Sequence, residues 1–588
     1  MSALEIRVHG IGDHDDYSAL GDPVLLTPNN RTHIVVPPTV PDHPLKLVNW
    51  SRSSRKLSRG LLWYLALPFT LVNAAGNMGP AKGPAHSILR ILVGFVGILL
   101  TVSAAAWLIV MAESVMKVVA IPDDPRTVSR VLAVVIPSLL AFGMLARWKL
   151  RNLRINAVVL WLNVAALILF GAAVAALLPA QIDYSGWPSR TVPMTRPEWL
   201  GTRWSRPPLV ERLDPMTAVV IVTTLLGLAC SGLVLLVRMF TKADKASLAG
   251  ASALLSIAVV STHTVSSVLR MGADWIAGWV SWASLSHPDT VSAWDRALMG
   301  YYERGNAVQS RLDFLAWFGI AAIVALAIAA GLSIWTGTPG PRPKKSPTNR
   351  ERAVWIHGVV AALPHFLPRT LVAGGLLALG LSVVLVRHHE WLLEGLRGHF
   401  VVLIINALTV VAIVAVFLRH RLPMLSKVIG SFADIVGFWT VEHHPLAGVS
   451  YRGAALVAID AAVGSKKHIV LVGHSQGSVV CAWWLARHPG PKPKVSLVTC
   501  GSPLASLYQT FFPRHFTTAF FDDVRTGSPK WRNFWRETDP IATAVPNAHN
   551  GDALADPLPP RMKALGHGDY WTDPAQQYWI RQRIRQMS

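Results

Sequence analysis

In HIVLVGHSQGSVV, residues 468–480, Ser475 stands between Gly473 and Gly477 at the end of an apolar run and ahead of a helix-like stretch. Glycines at those two positions permit the sharp strand-to-helix turn that holds a serine in a strained, exposed place. The helix that follows directs its N-terminus, with free backbone N–H groups, at the same point. The other reading, a chance glycine-rich turn, is weakened by this strand-turn-helix context, so His474 and Gln476 are taken with Ser475 and the two glycines as one elbow. A serine hydroxyl is a weak nucleophile at neutral pH and needs a histidine base oriented by a carboxylate. The chemistry open to such a set is acyl transfer through a covalent acyl-serine.

With an elbow of this kind the chain order is serine, then carboxylate, then histidine. Downstream, WRNFWRETDPI (531–541) offers Asp539 after a strand-like run, with a proline behind it, and LGHGDYW (565–571) offers His567 in a glycine-flanked loop. Asp522, Asp523, Asp552, Asp556, Asp569 and His549 also follow the serine. Asp539 is preferred because a strand precedes it and a proline stops that strand, which the loop aspartates mostly lack. Asp569 is read as a cap or as support for the His567 loop, and His444 precedes the serine and would break the order.

Acyl transfer also needs two backbone donors for the developing oxyanion. The Gln476 N–H is one, and the second belongs on a loop after an earlier strand. The stretch just upstream of the elbow has no such loop. EIRVHGIGDHD (5–15) reads as a short strand running into His9-Gly10-Ile11-Gly12, although taken alone it is equally an ordinary glycine turn. Residues 32–36 (THIVV) and 45–50 (LKLVNW) read as further strands that complete the same sheet.

The elements that must position these residues lie in an unusual chain. It has 588 residues, 52% of them hydrophobic and 15% charged, with a formal net charge of +22 and a mean hydropathy of +0.39. Those values indicate a membrane protein. Apolar stretches of bilayer-crossing length are read at 88–111, 130–147, 155–178, 216–238, 249–270, 313–335, 367–386 and 399–418. A further candidate, 61–78, is short and contains Pro68, Asn73 and Asn77. Basic blocks at 52–59, 147–154, 238–245, 342–352 and 419–427 mark the cytoplasmic side. All five face one side if 61–78 is interfacial or re-entrant. The expected topology is therefore eight spans with both termini and Ser475 cytoplasmic, in the plasma membrane. A count in which 61–78 spans and 130–147 does not keeps the same parity.

The basic residues sit beside apolar segments and no recognition motif accompanies them, so nucleic-acid binding is not expected. Cys230, Cys481 and Cys500 are too few and scattered for a disulfide framework or a metal site. MSALEIRVHG has no apolar signal region, so cleavage by that route is not expected. Trp275, Trp279 and Trp282 share a helical face suited to the membrane interface. His263, within STHTVSS, is read as part of a helix-packing seam before a functional group. After residue 419 short apolar runs alternate with helical stretches: helix 449–463, strand 468–473, helix 476–487, strand 494–500, strand 531–537 and helix 574–586.

VHGIG, GHSQGS, TCGSPL, the W-x-N-x-x-R-x-T-D-P-I stretch and GHGDYW together resemble the α/β-hydrolase superfamily, in its lipase-like and esterase-like members. The arrangement is also similar to multi-spanning bacterial proteins that carry such a domain. The resemblance covers about 1–50 and 430–588 and implies Ser475 as nucleophile, Asp539 and His567 as its partners, and an oxyanion hole from the N–H of Gln476 with that of Ile11 or Gly12. Gly501-Ser502-Pro503-Leu504 shapes the pocket in this reading. The chain departs from the usual pattern by inserting a membrane region between the oxyanion strand and the elbow.

The expected fold is thus an α-helical multi-spanning membrane domain (60–418) plus an α/β-hydrolase-like domain, a parallel sheet flanked by helices, assembled from both chain ends (1–59 and 419–588). The expected function is hydrolysis of a carboxylic ester, of lipid or acyl type, with membrane lipids as partners and no metal or organic cofactor implied. The alternative is a transporter, channel or signalling protein in which the hydrolase-like part is regulatory.

Overall fold

A run such as Ile469 to Val472 is apolar at every position and must be covered on both faces. The computed structural model describes residues 3–10, 24–26, 34–36, 43–50, 61–119, 125–151, 153–181, 215–240, 246–259, 261–262, 328, 348–362, 370, 434–487, 493–550, 565–568 and 570–588. Its strands are β1 (Leu4–Val8), β2 (Val24–Leu26), β3 (Ile34–Val36), β4 (Leu45–Val48), β5 (His468–His474), β6 (Lys494–Cys500), β7 (Lys530–Phe534) and β8 (His549–Asn550). Six of them form one sheet in the order β4-β1-β5-β6-β7-β8, parallel throughout.

Both ends of the chain build this sheet. Val8 of β1 pairs with Gly473 of β5, and the Ala3 N–H donates to Ser588 Oγ at 3.2 Å. LKLVNW supplies β4 as expected. THIVV does not: Ile34–Val36 pairs antiparallel with β2 in a separate two-stranded ribbon. The reason is register, since a short alternating strand states a face but not a partner.

The helices are α1 (Leu61–Gly76), α2 (Pro84–Val119), α3 (Pro125–Leu150), α4 (Ala157–Gln181) and α5 (Pro215–Phe240). They continue with α6 (Ala246–Val259), α7 (349–362), α8 (Arg452–Val463), α9 (Gln476–Arg487), α10 (Thr518–Gly527) and α11 (Pro574–Met587). Side chains of β5 alternate between two layers. Ile469 and Leu471 join the core under α8, α9 and α10, while Val470 and Val472 join Ile580 and Ile584 of α11.

Among the described residues, four helices are long and apolar enough to cross a membrane, over Pro84–Ile109, Arg130–Leu150, Ala157–Ala176 and Val222–Phe240. Leu139, Phe142 and Leu169 are exposed on them, apolar surface of the kind that a bilayer covers. Of the expected spans at 313–335, 367–386 and 399–418 the described residues include only Ile328 and Thr370, and 182–214, 271–310 and His263 lie outside them. α1 has 16 residues, about 24 Å of helix, which is short of the ~30 Å hydrocarbon core of a bilayer.

α1 also holds specific contacts. Asn73 donates from Nδ2 to the Thr440 carbonyl at 2.9 Å, and its Oδ1 accepts the N–H groups of Glu442 and His443, each at 2.9 Å. Beyond it, His444 enters between the apolar helices. Its Nε2 lies 3.1 Å from Thr101 Oγ1 and 3.2 Å from the Gly97 carbonyl on α2, and its ring stacks on Phe69. Burial holds the His444 pKa down to about 3, so the ring enters neutral. Arg147 of α3 donates to the carbonyls of Pro445 and Ala447. The segment 440–448 is thus clasped by the polar residues of otherwise apolar helices, and one continuous core runs from Leu71 and Leu89 to Val479 and Phe512.

Candidate active site

β5 ends at His474 and α9 begins at Gln476, so Ser475 alone makes the turn. Its φ is 52°, a left-handed conformation that a residue with a side chain rarely adopts. The flanking glycines are required by contact. A Cβ on Gly473 would lie 2.7 Å from the Gly477 carbonyl and from Ser478 Cα, and one on Gly477 would collide with the carbonyls of Val8 and His9. Ser478 Oγ closes the turn by donating to the Ser475 carbonyl at 2.5 Å.

The three residues expected to act together meet. His567 Nε2 lies 2.8 Å from Ser475 Oγ, and its Nδ1 lies 2.9 Å from Asp539 Oδ2 and 3.0 Å from Oδ1. Asp539 is fully buried. It also receives the Tyr570 hydroxyl on Oδ2 at 3.0 Å and the N–H groups of Ile541 and Ala542 on Oδ1 at 3.0 and 3.2 Å. Burial works to raise its pKa. The hydrogen bond and charge of His567, with the Ile541 N–H and Tyr570 hydroxyl, outweigh burial and hold the carboxyl below its ordinary range. Tyr570, buried beside that carboxylate, is pushed well up and stays a donor.

The strand before Asp539 is shorter than expected, ending at Phe534, and residues 535–540 turn instead. Arg536 explains the turn. Its guanidinium reaches the Gly566 carbonyl at 3.3 Å and Asp573 Oδ2 at 2.8 Å and lies over the Tyr570 ring. Thr538 Oγ1 donates to the Leu565 carbonyl at 2.5 Å. The W-x-N-x-x-R-x-T-D stretch therefore fastens the acid loop to the histidine loop. His474 holds the latter from beneath, donating from Nε2 to the His567 carbonyl at 2.6 Å.

The N-terminal loop also arrives. A Cβ on Gly10 would fall 2.7 Å from Ser475 Cβ and 3.1 Å from His474 Nδ1, so His9-Gly10 runs directly against the elbow. The Trp50 indole fixes it by donating to the His9 carbonyl at 2.9 Å. Ile11 and Gly12, the residues assigned a donor role, lie outside the described residues. Gln476 opens α9, where the first N–H groups have no partner within the helix. Its side chain is pinned, with Oε1 accepting from Tyr508 at 2.7 Å and Nε2 donating to Tyr451 at 3.0 Å.

Two of the competitors are paired elsewhere. Asp522 accepts from Asn547 and Asp523 pairs with Arg487. His549 is exposed on the edge strand, and Asp552, Asp556 and Asp569 lie outside the described residues. Ser502 is fully buried against Ser478 at 2.8 Å, which makes it a packing partner of the elbow. Sequence reasoning missed Tyr570, although it stands three residues after His567, and missed His357. The latter lies on α7, inside the 60–418 segment, and its Nδ1 meets the Asp539 carbonyl. Nothing in the local pattern of α7 announces that contact.

The chain gives no match to a family model, to a curated protein or to a solved structure.

Proposed function

We propose that the protein is a membrane-embedded serine hydrolase that cleaves a carboxylic ester through an acyl-enzyme, in a domain of α/β-hydrolase type drawn from both chain ends. The observation that carries this reading is the relay from Ser475 Oγ through His567 to Asp539, at 2.8 and 2.9 Å, with the serine at positive φ. In the reaction, His567 Nε2 takes the Ser475 proton as Oγ attacks the ester carbonyl carbon. The Gln476 N–H and a second backbone donor from the 9–12 loop stabilise the tetrahedral oxyanion. Collapse expels the alcohol, which leaves with the proton from His567, and the acyl group remains on Ser475. Water, deprotonated by the same nitrogen, then releases the acid and restores the serine.

A lipid or acyl ester is the substrate class favoured by the surroundings. Four apolar helices pack with the sheet in one core. Val354 and Ile356, on the same helix as His357, are exposed and apolar. The reading implies a plasma-membrane protein with its catalytic part on the cytoplasmic side.

Detergent-purified protein should react with a fluorophosphonate probe at one site and lose that reaction in Ser475→Ala. Labelling that is absent, or equal in the variant, removes the enzyme reading. A panel of phospholipid, acylglycerol and short-chain esters then identifies the substrate.

A further inference from the structure

Away from Ser475, a group of basic side chains gathers where α1 turns into α2. His443 is 6% exposed, its ring packed against Gly76, where a Cβ would come within 2.5 Å of Cδ2. Its Nε2 is buried and has no hydrogen-bond partner among the described residues, and the same holds for His86 Nδ1 on the first turn of α2 and for Arg514 Nη1. The 511–516 loop is seated on this turn. Phe511 fills the space beside Gly250 and Met78, and His515 Nε2 lies 3.0 Å from Asn77 Oδ1. Arg90, one helical turn beyond His86, and Lys82 are exposed at the rim.

Positive charge here is poorly balanced. Glu442 acts on Arg514, but its Oε1 already accepts the Thr440 hydroxyl at 2.7 Å. Burial, with the charges of Arg514 and Arg90 added, takes the His443 pKa down to about 4. His443 is then neutral at physiological pH, and in its Nε2–H tautomer the single ring N–H has no acceptor among the described residues. Buried donors left unmatched are costly, and a ligand carrying several acceptor oxygens removes that cost. The α2 N-terminus adds its dipole. The N–H groups of His86 and Ser87 are already bonded to the Gly83 carbonyl, so the contacts fall mainly to side chains.

We propose that His443, His86, Arg514 and Arg90 form a phosphate-binding site. An anion with three or four oxygens suits this group of neighbouring basic side chains better than a carboxylate with two. The phosphate has two sources, a phospholipid headgroup or free phosphate. The position favours the first: α2 begins its apolar run in this turn, which is the depth at which a lipid phosphate lies. The site shares no residue with the triad and does not rest on the hydrolase reading.

The test is thermal unfolding of the full chain in uncharged detergent, in two arms. One adds inorganic phosphate against chloride at equal ionic strength, and the other adds phosphatidic acid against diacylglycerol in mixed micelles. The parent should be stabilised in at least one arm: a response to phosphate alone identifies free phosphate, and a response confined to phosphatidic acid identifies the headgroup. Arg514→Gln and Arg90→Gln should each need about tenfold more ligand for the same shift, the loss expected for one charge-assisted contact. Arg90 is exposed, so Arg90→Gln decides the matter if Arg514→Gln does not fold. No stabilisation in either arm, or equal midpoints in parent and variant, overturns the site. So does a response that disappears in Ser475→Ala, which would place the phosphate at the triad.

Discussion

Replacing Asp539 by Asn tests the relay more sharply than deleting it, because the geometry dictates which way the amide must face. Oδ1 accepts two backbone N–H groups, from Ile541 and Ala542, and only the amide oxygen can replace it there. The amide nitrogen is then forced into the Oδ2 position, where it points hydrogens at His567 Nδ1 and at the Tyr570 hydroxyl. His567 must become an acceptor at Nδ1, which moves its remaining proton to Nε2, facing Ser475 Oγ at 2.8 Å. A base that already carries its proton cannot take another from serine. The expected loss is about ten-thousand-fold in kcat, roughly 5.5 kcal/mol of transition-state stabilisation at about 1.36 kcal/mol per decade. The assay is the pseudo-first-order rate of fluorophosphonate labelling, with ester turnover beside it and a thermal melt to confirm folding. A folded Asp539→Asn protein that labels within about tenfold of the parent would refute both the tautomer argument and the assignment of Asp539.

Other consequences follow from the same contacts. Because the Asp539 carboxyl is held below the ordinary carboxylate range, its stabilising contribution is complete above the unfolded pKa and fades as pH falls through the folded one. The melting-temperature gap between parent and Asp539→Asn should accordingly narrow from about pH 5 to about pH 3; a gap that widens reverses the sign. Gly477→Ala forces a Cβ into the Val8 and His9 carbonyls and should cost about 1–3 kcal/mol by denaturation, with slower labelling as β1 is pushed from the elbow. Asn73→Ala leaves the N–H groups of Glu442 and His443 without an acceptor. It should lower stability by about 2–4 kcal/mol, while Asn73→Asp, which keeps the acceptor, should lose less. Reporter fusions after Thr195 and Ser346 should read external and cytoplasmic respectively; the opposite result for either overturns the eight-span count.

Some of this was legible along the chain because the signals are local. A strand buried on both faces is apolar along most of its length, so β5 and β6 could be read from the apolar runs in HIVLVGH and KVSLVTC. The elbow could be read because the backbone collisions at Gly473 and Gly477 leave only glycine at those places. Apolar length sufficed for the four helices that could cross a membrane, since span length is set by bilayer thickness. Asp539 was selected over its rivals on weaker grounds, the strand and proline around it, and the strand then proved shorter.

What the sequence determined by itself is the chemistry of single stretches: a strained serine, a carboxylate turn, a glycine-flanked histidine and a set of long apolar helices. Tertiary structure alone decided who meets whom. β3 stayed out of the main sheet, Tyr570 and His357 reached Asp539, and Asn73 and Thr101 took hold of the 440–448 segment. Strand partners, buried hydrogen bonds and orphaned donors are pairings between residues far apart in sequence. Each is selected by register and direction in space, and neither quantity is written in the periodicity of one segment.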